Sequence, residues 1–333
     1  MTARSPLTRG IPVVLLCFAL MVAAIVFAPF IGSTDISFGA VFSRRIPFAD
    51  NIDAQIFFLA RLPRALAAAL VGGTLAAAGA VFQGLLRNPL AEPYTLGISA
   101  GASLGAMVAI TFGAMLPTGG VATAGLAGAG LAVLVVYALA NARHRGLSTT
   151  VLLLSGVTLN AFFWALILLV QYSSDFAETY RALRWLMGDL DVVGYSSIVT
   201  ALPLIVIAFV AFAWLARPLN LLSLGAEAAG ARGLNVARAQ RVAFFSGSIA
   251  TAGAVSIGGP IGFVGIIVPH LIRLVVGADH RLVLPASACF GAAFLVACDV
   301  VARTVAAPLD LPVGIITALA GGPFFLWLLL RRR

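Results

Sequence analysis

Ten apolar segments, separated by short polar stretches, dominate the hydropathy pattern of the chain. A helix that rises about 1.5 Å per residue needs about 20 residues to cross a hydrocarbon core about 30 Å thick, and most of these segments have that length. The pattern therefore predicts an all-α polytopic membrane protein with about ten transmembrane helices, in which residues 1–333 form a single transmembrane domain. The predicted spans are residues 11–31, 63–86, 95–116, 119–140, 150–172, 194–216, 240–257, 261–276, 283–302 and 313–330.

The eighth segment departs from this regular pattern. It is short, contains Pro269, and follows Gly258, Gly259 and Pro260. We predict a broken or kinked helix here. A bilayer tolerates irregular backbone only where neighbouring protein satisfies the freed polar groups.

The distribution of arginines predicts the orientation. If the N-terminus is cytoplasmic, 14 of the 21 basic residues lie on the cytoplasmic side, and eight acidic residues dilute the outer ones. The positive-inside bias therefore places both the N- and C-termini in the cytoplasm. A cleaved signal peptide is the alternative for the first segment. Its apolar run continues to Phe30, longer than a usual signal, so we expect it to be retained.

Composition excludes several functional classes. The chain is 61% hydrophobic and 10% charged, whereas soluble domains are about half apolar and about a quarter charged. The net charge of +9 belongs to the arginine-rich membrane topology and does not indicate a nucleic-acid partner. No lysine is present, and a phosphate-binding P-loop needs one. If ATP drives a process here, a separate subunit must hydrolyse it.

Small residues recur at helical spacing in the second and fourth segments. Close approach of helix backbones is the main reason for such stripes in lipid, and a face lining a substrate path is the alternative. Cysteines occur singly, without the spacing of a metal site or a disulfide, and we interpret them as packing residues. The residues concerned are Gly72, Ala76 and Ala80, then Ala124, Gly128 and Ala132, and the cysteines Cys17, Cys289 and Cys298.

A polar, helix-forming stretch at residues 222–240 interrupts the apolar pattern on the predicted cytoplasmic side. Such a stretch between membrane spans is most simply explained as a docking surface for a soluble partner. A solvated loop without a partner is the alternative.

Several motifs lie in a fixed order along the chain from residue 61 to the C-terminus. Together they resemble the FecCD-type permeases of ABC importers for iron-siderophores, haem and cobalamin. The motifs are R-L-P-R at 61–64, R-N-P-L-A-E-P at 87–93, L-G-I-S-A-G-A at 96–102, I-G-F-V-G at 261–265, V-P-H-L-I-R at 268–273, D-H-R at 279–281, D-V-V-A-R at 299–303 and L-P-V-G at 311–314.

The resemblance implies a type II ABC importer permease fold in a bacterial cytoplasmic (inner) membrane. It implies a second permease subunit, as a homodimer or a paired homologue, two cytoplasmic ABC ATPases and a periplasmic or lipid-anchored substrate-binding protein. The chain would need no cofactor and no metal, and the ATPases would bind ATP and magnesium. It would also carry no catalytic residue. Which of the three substrate groups is moved does not follow from the pattern.

Three arginines on the outer side match permease residues that receive acidic groups of the binding protein: Arg61, Arg64 and Arg303. The spacing places Arg61 and Arg64 one turn apart at a helix start, with Pro63 at a first-turn position. A cation there opposes the helix dipole, which favours a nearby acidic partner. Snorkelling to lipid headgroups is the alternative. For Arg303, an intrachain pair with Asp299 at i−4 is a further alternative.

Two other sets of residues match the family on the cytoplasmic side. Asn88 and Leu90, with Ser148 and Thr149, correspond to segments that narrow the translocation path. Ser148 is also a candidate helix N-cap, and Asn88 with Pro89 a candidate turn. Residues 222–238 match the family's coupling helices, through Leu224, Gly225, Glu227, Ala228, Gly233 and Val236, with Arg232 where an apolar residue is frequent.

Two other classes compete with a permease. An ion-coupled secondary transporter needs buried acids, and Asp299 is the single candidate. An intramembrane serine hydrolase would need Ser99 or Ser103 at hydrogen-bond distance from His270.

Overall fold

The computed structural model describes residues 6–43, 46–113, 120–142, 148–191 and 194–331. Seven of the arginines that predict the orientation lie outside these residues: Arg4, Arg44, Arg45, Arg143, Arg145, Arg332 and Arg333. The α-helices are α1 (Pro6–Phe27), α2 (Phe38–Val41), α3 (Ile52–Gln55), α4 (Leu62–Leu86), α5 (Ile98–Phe112), α6 (Val121–Asn141), α7 (Thr149–Tyr172), α8 (Phe176–Leu186), α9 (Ser196–Leu222), α10 (Ala226–Ala231), α11 (Val236–Gly258), α12 (Val264–Val276), α13 (His280–Val305) and α14 (Val313–Arg331). Short 3₁₀ turns cover Ala28–Phe30, Phe48–Asp50 and Pro93–Leu96.

Each predicted span coincides with one of the longer helices, which confirms the all-α, multi-pass fold. Within the described ranges, six helical stretches are long and apolar enough to cross a membrane. Three shorter apolar helices, Ile98–Phe112, Val264–Val276 and Val313–Trp327, account for three more of the predicted spans. The tenth, α11, is 23 residues long and begins with a polar turn.

The second predicted span begins earlier than the sequence indicated. A π-helical turn, Ile56–Arg61, joins α3 to α4, so the helical stretch runs from Ile52 to Leu86. Arg61 and Arg64 therefore do not lie at the start of a helix, and the dipole argument for an acidic partner was wrong. The partner exists for a different reason, described below.

Helix α4 is the centre of the fold and is buried along almost its whole length. It packs on α13, α11, α12 and α9. A Cβ atom added to Gly72 would lie 2.3 Å from the carbonyl oxygen of Gly291 in α13. The small-residue stripe of α4 is therefore a packing surface, because only residues without bulky side chains let the two backbones approach so closely.

A second group of helices, α5 to α7, is built in the same way. A Cβ atom on Gly128 of α6 would lie 2.1 Å from the carbonyl oxygen of Gly101 in α5, and one on Gly105 would lie 2.1 Å from that of Ala124. These contacts make the second stripe a packing surface as well.

The predicted break in the eighth segment is confirmed, although it lies before the helix and not at Pro269. Helix α11 ends at Gly258, the chain runs without helix to Phe263, and α12 then continues through Pro269. The exposed backbone groups find partners in the loop after α4. The Tyr94 hydroxyl accepts from the Ile261 amide at 2.7 Å, and Glu92 Oε1 accepts from the Phe263 amide at 2.8 Å. Neighbouring protein thus supplies the hydrogen bonds that lipid cannot.

The sequence interpretation missed helices α2, α3 and α8, of which α8 is the longest. Helix α8 lies between α7 and α9 and begins with a capping box in which Asp175 and Glu178 each bond the other's backbone amide. Its polar residues make it too hydrophilic to register as a span. The D-x-x-E spacing was the available signal.

Candidate functional site

Arg64 is the centre of a charged cluster at the N-terminal end of α4. Its Nε donates to Asp299 Oδ1 of α13 at 2.8 Å, and its Nη1 donates to Asp310 Oδ2 at 2.9 Å. Asp299 is completely buried, whereas the Asp310 side chain is 38% exposed. Antiparallel packing of α4 and α13 brings these residues together, since residue 72 faces residue 291 and residue 64 faces residue 299.

Arg303 and Arg61 join the cluster to the end of α1. Arg303 Nε lies 3.6 Å from Asp299 Oδ2, and its Nη2 donates to the Ala28 carbonyl at 2.9 Å. Arg61 donates through Nη1 to the Pro29 carbonyl at 3.4 Å and through Nη2 to the Thr34 carbonyl. The structure therefore brings all three predicted arginines into one assembly that ties α1, α4 and α13 together.

Burial decides between the alternatives left open by the sequence. Arg61, Arg64 and Arg303 are 7%, 8% and 4% exposed. A side chain that snorkels must present its charge to water or headgroups, so snorkelling does not describe these residues. The intrachain pair of Arg303 with Asp299 is confirmed.

Some buried hydrogen-bonding atoms of the cluster have no partner. Arg64 Nη2, Arg303 Nη1 and Asp299 Oδ2 are buried without a hydrogen-bond partner. Two carboxylates balance Arg64 and Arg303, and Arg61 adds a positive charge with no ion pair among the described residues. Unsatisfied buried donors are costly, and this group is therefore suited to receive a further acceptor.

The gate candidates lie in two separate segments at the opposite end of the bundle. Asn88 follows α4 and accepts from the Leu90 amide at 2.9 Å, forming a tight turn, and Leu90 is 53% exposed. Ser148 caps α7 by accepting from the Val151 amide at 3.4 Å, and Thr149 is the first residue of that helix. No hydrogen bond joins the two segments in the part of the chain that the structure describes. Asn88 thus forms a turn and Ser148 an N-cap, the two local roles considered from the sequence.

The coupling candidates form one short helix and not several. Helix α9 continues to Leu222, α10 has six residues, and the segment from Val236 onward is the first turn of α11. Leu224 is 55% exposed, and Glu227 and Arg232 are exposed as well. Ala228 is half-buried.

The two glycines of this segment are needed for its turns. Gly225 has φ 105° and Gly233 has φ 83°, in the region that favours glycine. A Cβ atom on Gly233 would meet nothing within 4 Å, so this residue is not close-packed within the chain.

A hydrogen-bonded link next to α10 fixes the ends of α9 and α13. Asp279 caps α13, accepts from Asn220 Nδ2 at 2.7 Å, and pairs with Arg281 at 2.7 Å. Hydrogen bonds from Arg281, then from Asn220, lower the pKa of Asp279 to about 2 despite partial burial. In the segment after α8, burial raises the pKa of Asp189, and its pairing with Arg184 opposes that shift.

Sequence reasoning missed two polar residues that belong to these assemblies. Asp310 was noted as an outer acid but not as the partner of Arg64, because 246 residues separate them. Gln83 donates to the Gly265 carbonyl at 3.0 Å and accepts from Arg273, which joins α4 to α12. Its polarity within an apolar, buried helix was the available signal.

The geometry gives the competing classes little support. Asp299 is neutralised by two arginines, which does not suit an ion-carrying acid. Ser99 and Ser103 lie on α5, which packs mainly on α6 and α7, whereas the ring of His270 on α12 packs 6.4 Å from that of Phe324.

The model of the FecCD transport family matches residues 20–331, nearly the whole chain. The chain belongs to the FecCD transport family. Family members of similar sequence include a cobalamin import system permease protein, BtuC, of Halobacterium salinarum, 46% identical over 81% of this chain and 72% of the relative. A hemin transport system permease protein, HmuU, of Yersinia pestis is 41% identical over 84% of each chain.

A solved structure shares the fold of this FecCD member. It is assigned to an ABC transporter of the metal-chelate type in an inward-facing conformation, with a TM-score of 0.82 and 32% identity over 96% of this chain and 99% of the other. The fold that the sequence motifs implied, that of an ABC importer permease, is thereby confirmed.

Proposed function

We propose that the chain is the transmembrane permease subunit of an ATP-driven importer that moves an iron-siderophore, haem or cobalamin type compound into the cytoplasm. The observation that carries this proposal is the family match along residues 20–331. The names of the relatives support the substrate classes. The chain itself carries no catalytic residue and no P-loop, so the energy of ATP must enter through a partner.

The assembly follows from the same family. Two permease subunits, as a homodimer or a pair of homologues, combine with two cytoplasmic ATPases and an external substrate-binding protein. Arginine placement supports cytoplasmic termini, and the family supports a bacterial inner membrane as the location. In this orientation the arginine cluster faces the outside, and α10 faces the cytoplasm.

The arginine cluster docks the binding protein. Arg61, Arg64 and Arg303 carry one positive charge more than the carboxylates that contact them, and three of their nitrogens, Arg64 Nη2 and Arg303 Nε and Nη1, lack a hydrogen-bond acceptor. Complementary charges steer association and fix its register. A carboxylate on the binding protein would supply both the missing charge and the missing acceptor.

The segments at Asn88 and Leu90 and at Ser148 and Thr149 narrow the cytoplasmic end of the path. A constriction made of turns needs only to block a large solute. Exposure of Leu90 supports this role.

Helix α10 and the turns beside it couple the permease to the ATPase. Leu224 next to α10 is a large, exposed apolar side chain that can anchor a partner. The link between Asp279 and Asn220 fixes the end of α9, so a movement of α10 would be transmitted to α9 and α13.

The test is transport by the reconstituted complex in proteoliposomes, with the Arg61→Glu/Arg64→Glu double variant. We expect loss of binding-protein docking and of substrate uptake. Because Arg64→Glu also breaks the buried pair with Asp299, the result counts only for complexes that still co-purify the ATPase. Arg181→Glu on α8 is the control, because Arg181 is exposed and makes no ion pair in the described residues.

Arg64→Lys keeps the positive charge but not the planar fork of the guanidinium. It therefore separates the effect of charge on docking from the effect of the hydrogen bonds that hold the fold. Wild-type uptake by the double variant would exclude the docking role. Native mass spectrometry of the binding protein with its captured ligand would identify the substrate.

A further inference from the structure

Asp310 is the most exposed charged group of the outer cluster. It lies on the turn between α13 and α14, and backbone bonds hold that turn on both sides: Leu311 donates to Ala302 at 3.2 Å and Gly314 donates to Gly188 at 3.1 Å. The side chain therefore has a fixed anchor but faces solvent on one side. This position differs from that of Asp299, which is enclosed.

The two carboxylates hold Arg64 through different nitrogens. Asp299 takes Nε from the buried side, and Asp310 takes Nη1 from the outside. Breaking the buried pair would leave an uncompensated charge in the protein interior, which is strongly destabilising. An ion pair that water can reach contributes far less, because solvent screens it. Asp310 is thus the replaceable partner and Asp299 the permanent one.

Asp310 is the partner of Arg64 that solvent can reach. Arg64 Nη2 and Arg303 Nη1 are buried and have no hydrogen-bond acceptor. Of the two carboxylates on Arg64, that of Asp299 is enclosed, whereas that of Asp310 is 38% exposed. An external carboxylate would therefore approach Arg64 most directly where the Asp310 carboxylate now lies.

From this geometry we propose that Asp310 is an internal stand-in for a carboxylate of the binding protein, and that docking exchanges one for the other on Arg64. The inference rests on the proposed docking function and adds the residue that sets its strength. The partner surface it fits carries an acidic side chain that can enter between α4 and the turn before α14. When the partner leaves, Asp310 returns to Arg64, so Arg64 keeps two carboxylate partners in both states.

The test is the affinity of the purified binding protein for the permease–ATPase complex in nanodiscs, measured by biolayer interferometry. Asp310→Asn keeps the shape of the side chain and removes its charge. We expect binding about two- to tenfold tighter, because the variant removes the competing carboxylate, whose 38% exposure keeps its pair with Arg64 weak, roughly 1 kcal/mol for a fivefold change. The gain should shrink as salt is raised, because exposed charges are screened within about 10 Å at 0.1 M.

Asp191→Asn is the matched control. Asp191 is an outer carboxylate, 64% exposed and 3.8 Å from Arg184, so its removal raises the net charge equally without freeing Arg64. We expect at most a small change in affinity. An equal gain in both variants would indicate general attraction and overturn the exchange, and unchanged or weaker binding by Asp310→Asn would overturn it as well.

The docking function and the exchange at Arg64 can be excluded separately. If Arg61→Glu/Arg64→Glu binds like the wild type, the docking function itself is excluded. If that variant loses binding but Asp310→Asn gains none, docking stands and the exchange is excluded. Co-purification of the ATPase with each variant establishes that it is folded.

Discussion

Replacing Gly79 by alanine should separate two helices that the structure holds in backbone contact. Gly79 of α4 faces Gly265 of α12, and a Cβ atom on Gly79 would lie 2.0 Å from the Gly265 carbonyl oxygen. Both sides of this contact are backbone. No side-chain rotation can relieve it, and the helices must therefore move apart by about 1 Å or more.

The expected cost combines three effects. Forcing an extra carbon into a packed interior costs about 1–3 kcal/mol, and a rigid backbone neighbour places this case at the upper end. The bond from Gln83 to the Gly265 carbonyl, 3.0 Å long, would lengthen and lose about 1 kcal/mol. Alanine has a better helix propensity than glycine by about 1 kcal/mol. The net destabilisation is therefore about 3 kcal/mol.

Gly130 of α6 provides the control, because a Cβ atom there meets nothing within 4 Å. Gly130→Ala should be neutral or stabilising by up to about 1 kcal/mol. The difference in stability is measured by unfolding both variants in mixed micelles through titration with a denaturing detergent. Equal stability of Gly79→Ala and Gly130→Ala would refute the close approach of α4 and α12.

The remaining predictions concern charge, capping and coupling. Asp299→Leu should cost about 3–5 kcal/mol by leaving arginine unpaired in the interior, and adding Arg303→Met should recover most of that stability in the same assay. Asp279→Ala should cost about 1 kcal/mol at pH 7 through the lost helix cap. Because the pKa of Asp279 is lowered from 3.8 to about 2, its stabilisation is complete above pH 4 and should vanish in melts as pH falls through 2. Leu224→Glu should prevent co-purification of the ATPase, and normal co-purification would exclude α10 as the contact. The purified chain alone should show no ATP hydrolysis, and turnover by contaminant-free protein would overturn that expectation.

Much of the fold could be predicted because its signals are local. A membrane span is recognised by about 20 apolar residues in a row, and no distant residue is needed to recognise it. All ten predicted segments are helical for this reason. Helix α8 was not predicted because it is short and polar, although its capping box was visible in the sequence. The start at Ile52 was not predicted because Pro63 was taken as a first-turn residue, although Asn51 caps α3 by accepting from the Ala54 amide.

The sequence by itself determined the ten apolar helices, the break before α12, the small-residue contacts and the family. Only the tertiary structure decided which residues pair with the arginines and which residues hydrogen-bond to the exposed backbone at the break before α12. Arg64 meets acids 235 and 246 residues away, and Glu92 meets an amide 171 residues away. A charge pattern records that a partner is needed, because a buried charge is unstable alone. It does not record which acid lies opposite, since that depends on how α4, α13 and the turn after α13 pack against one another.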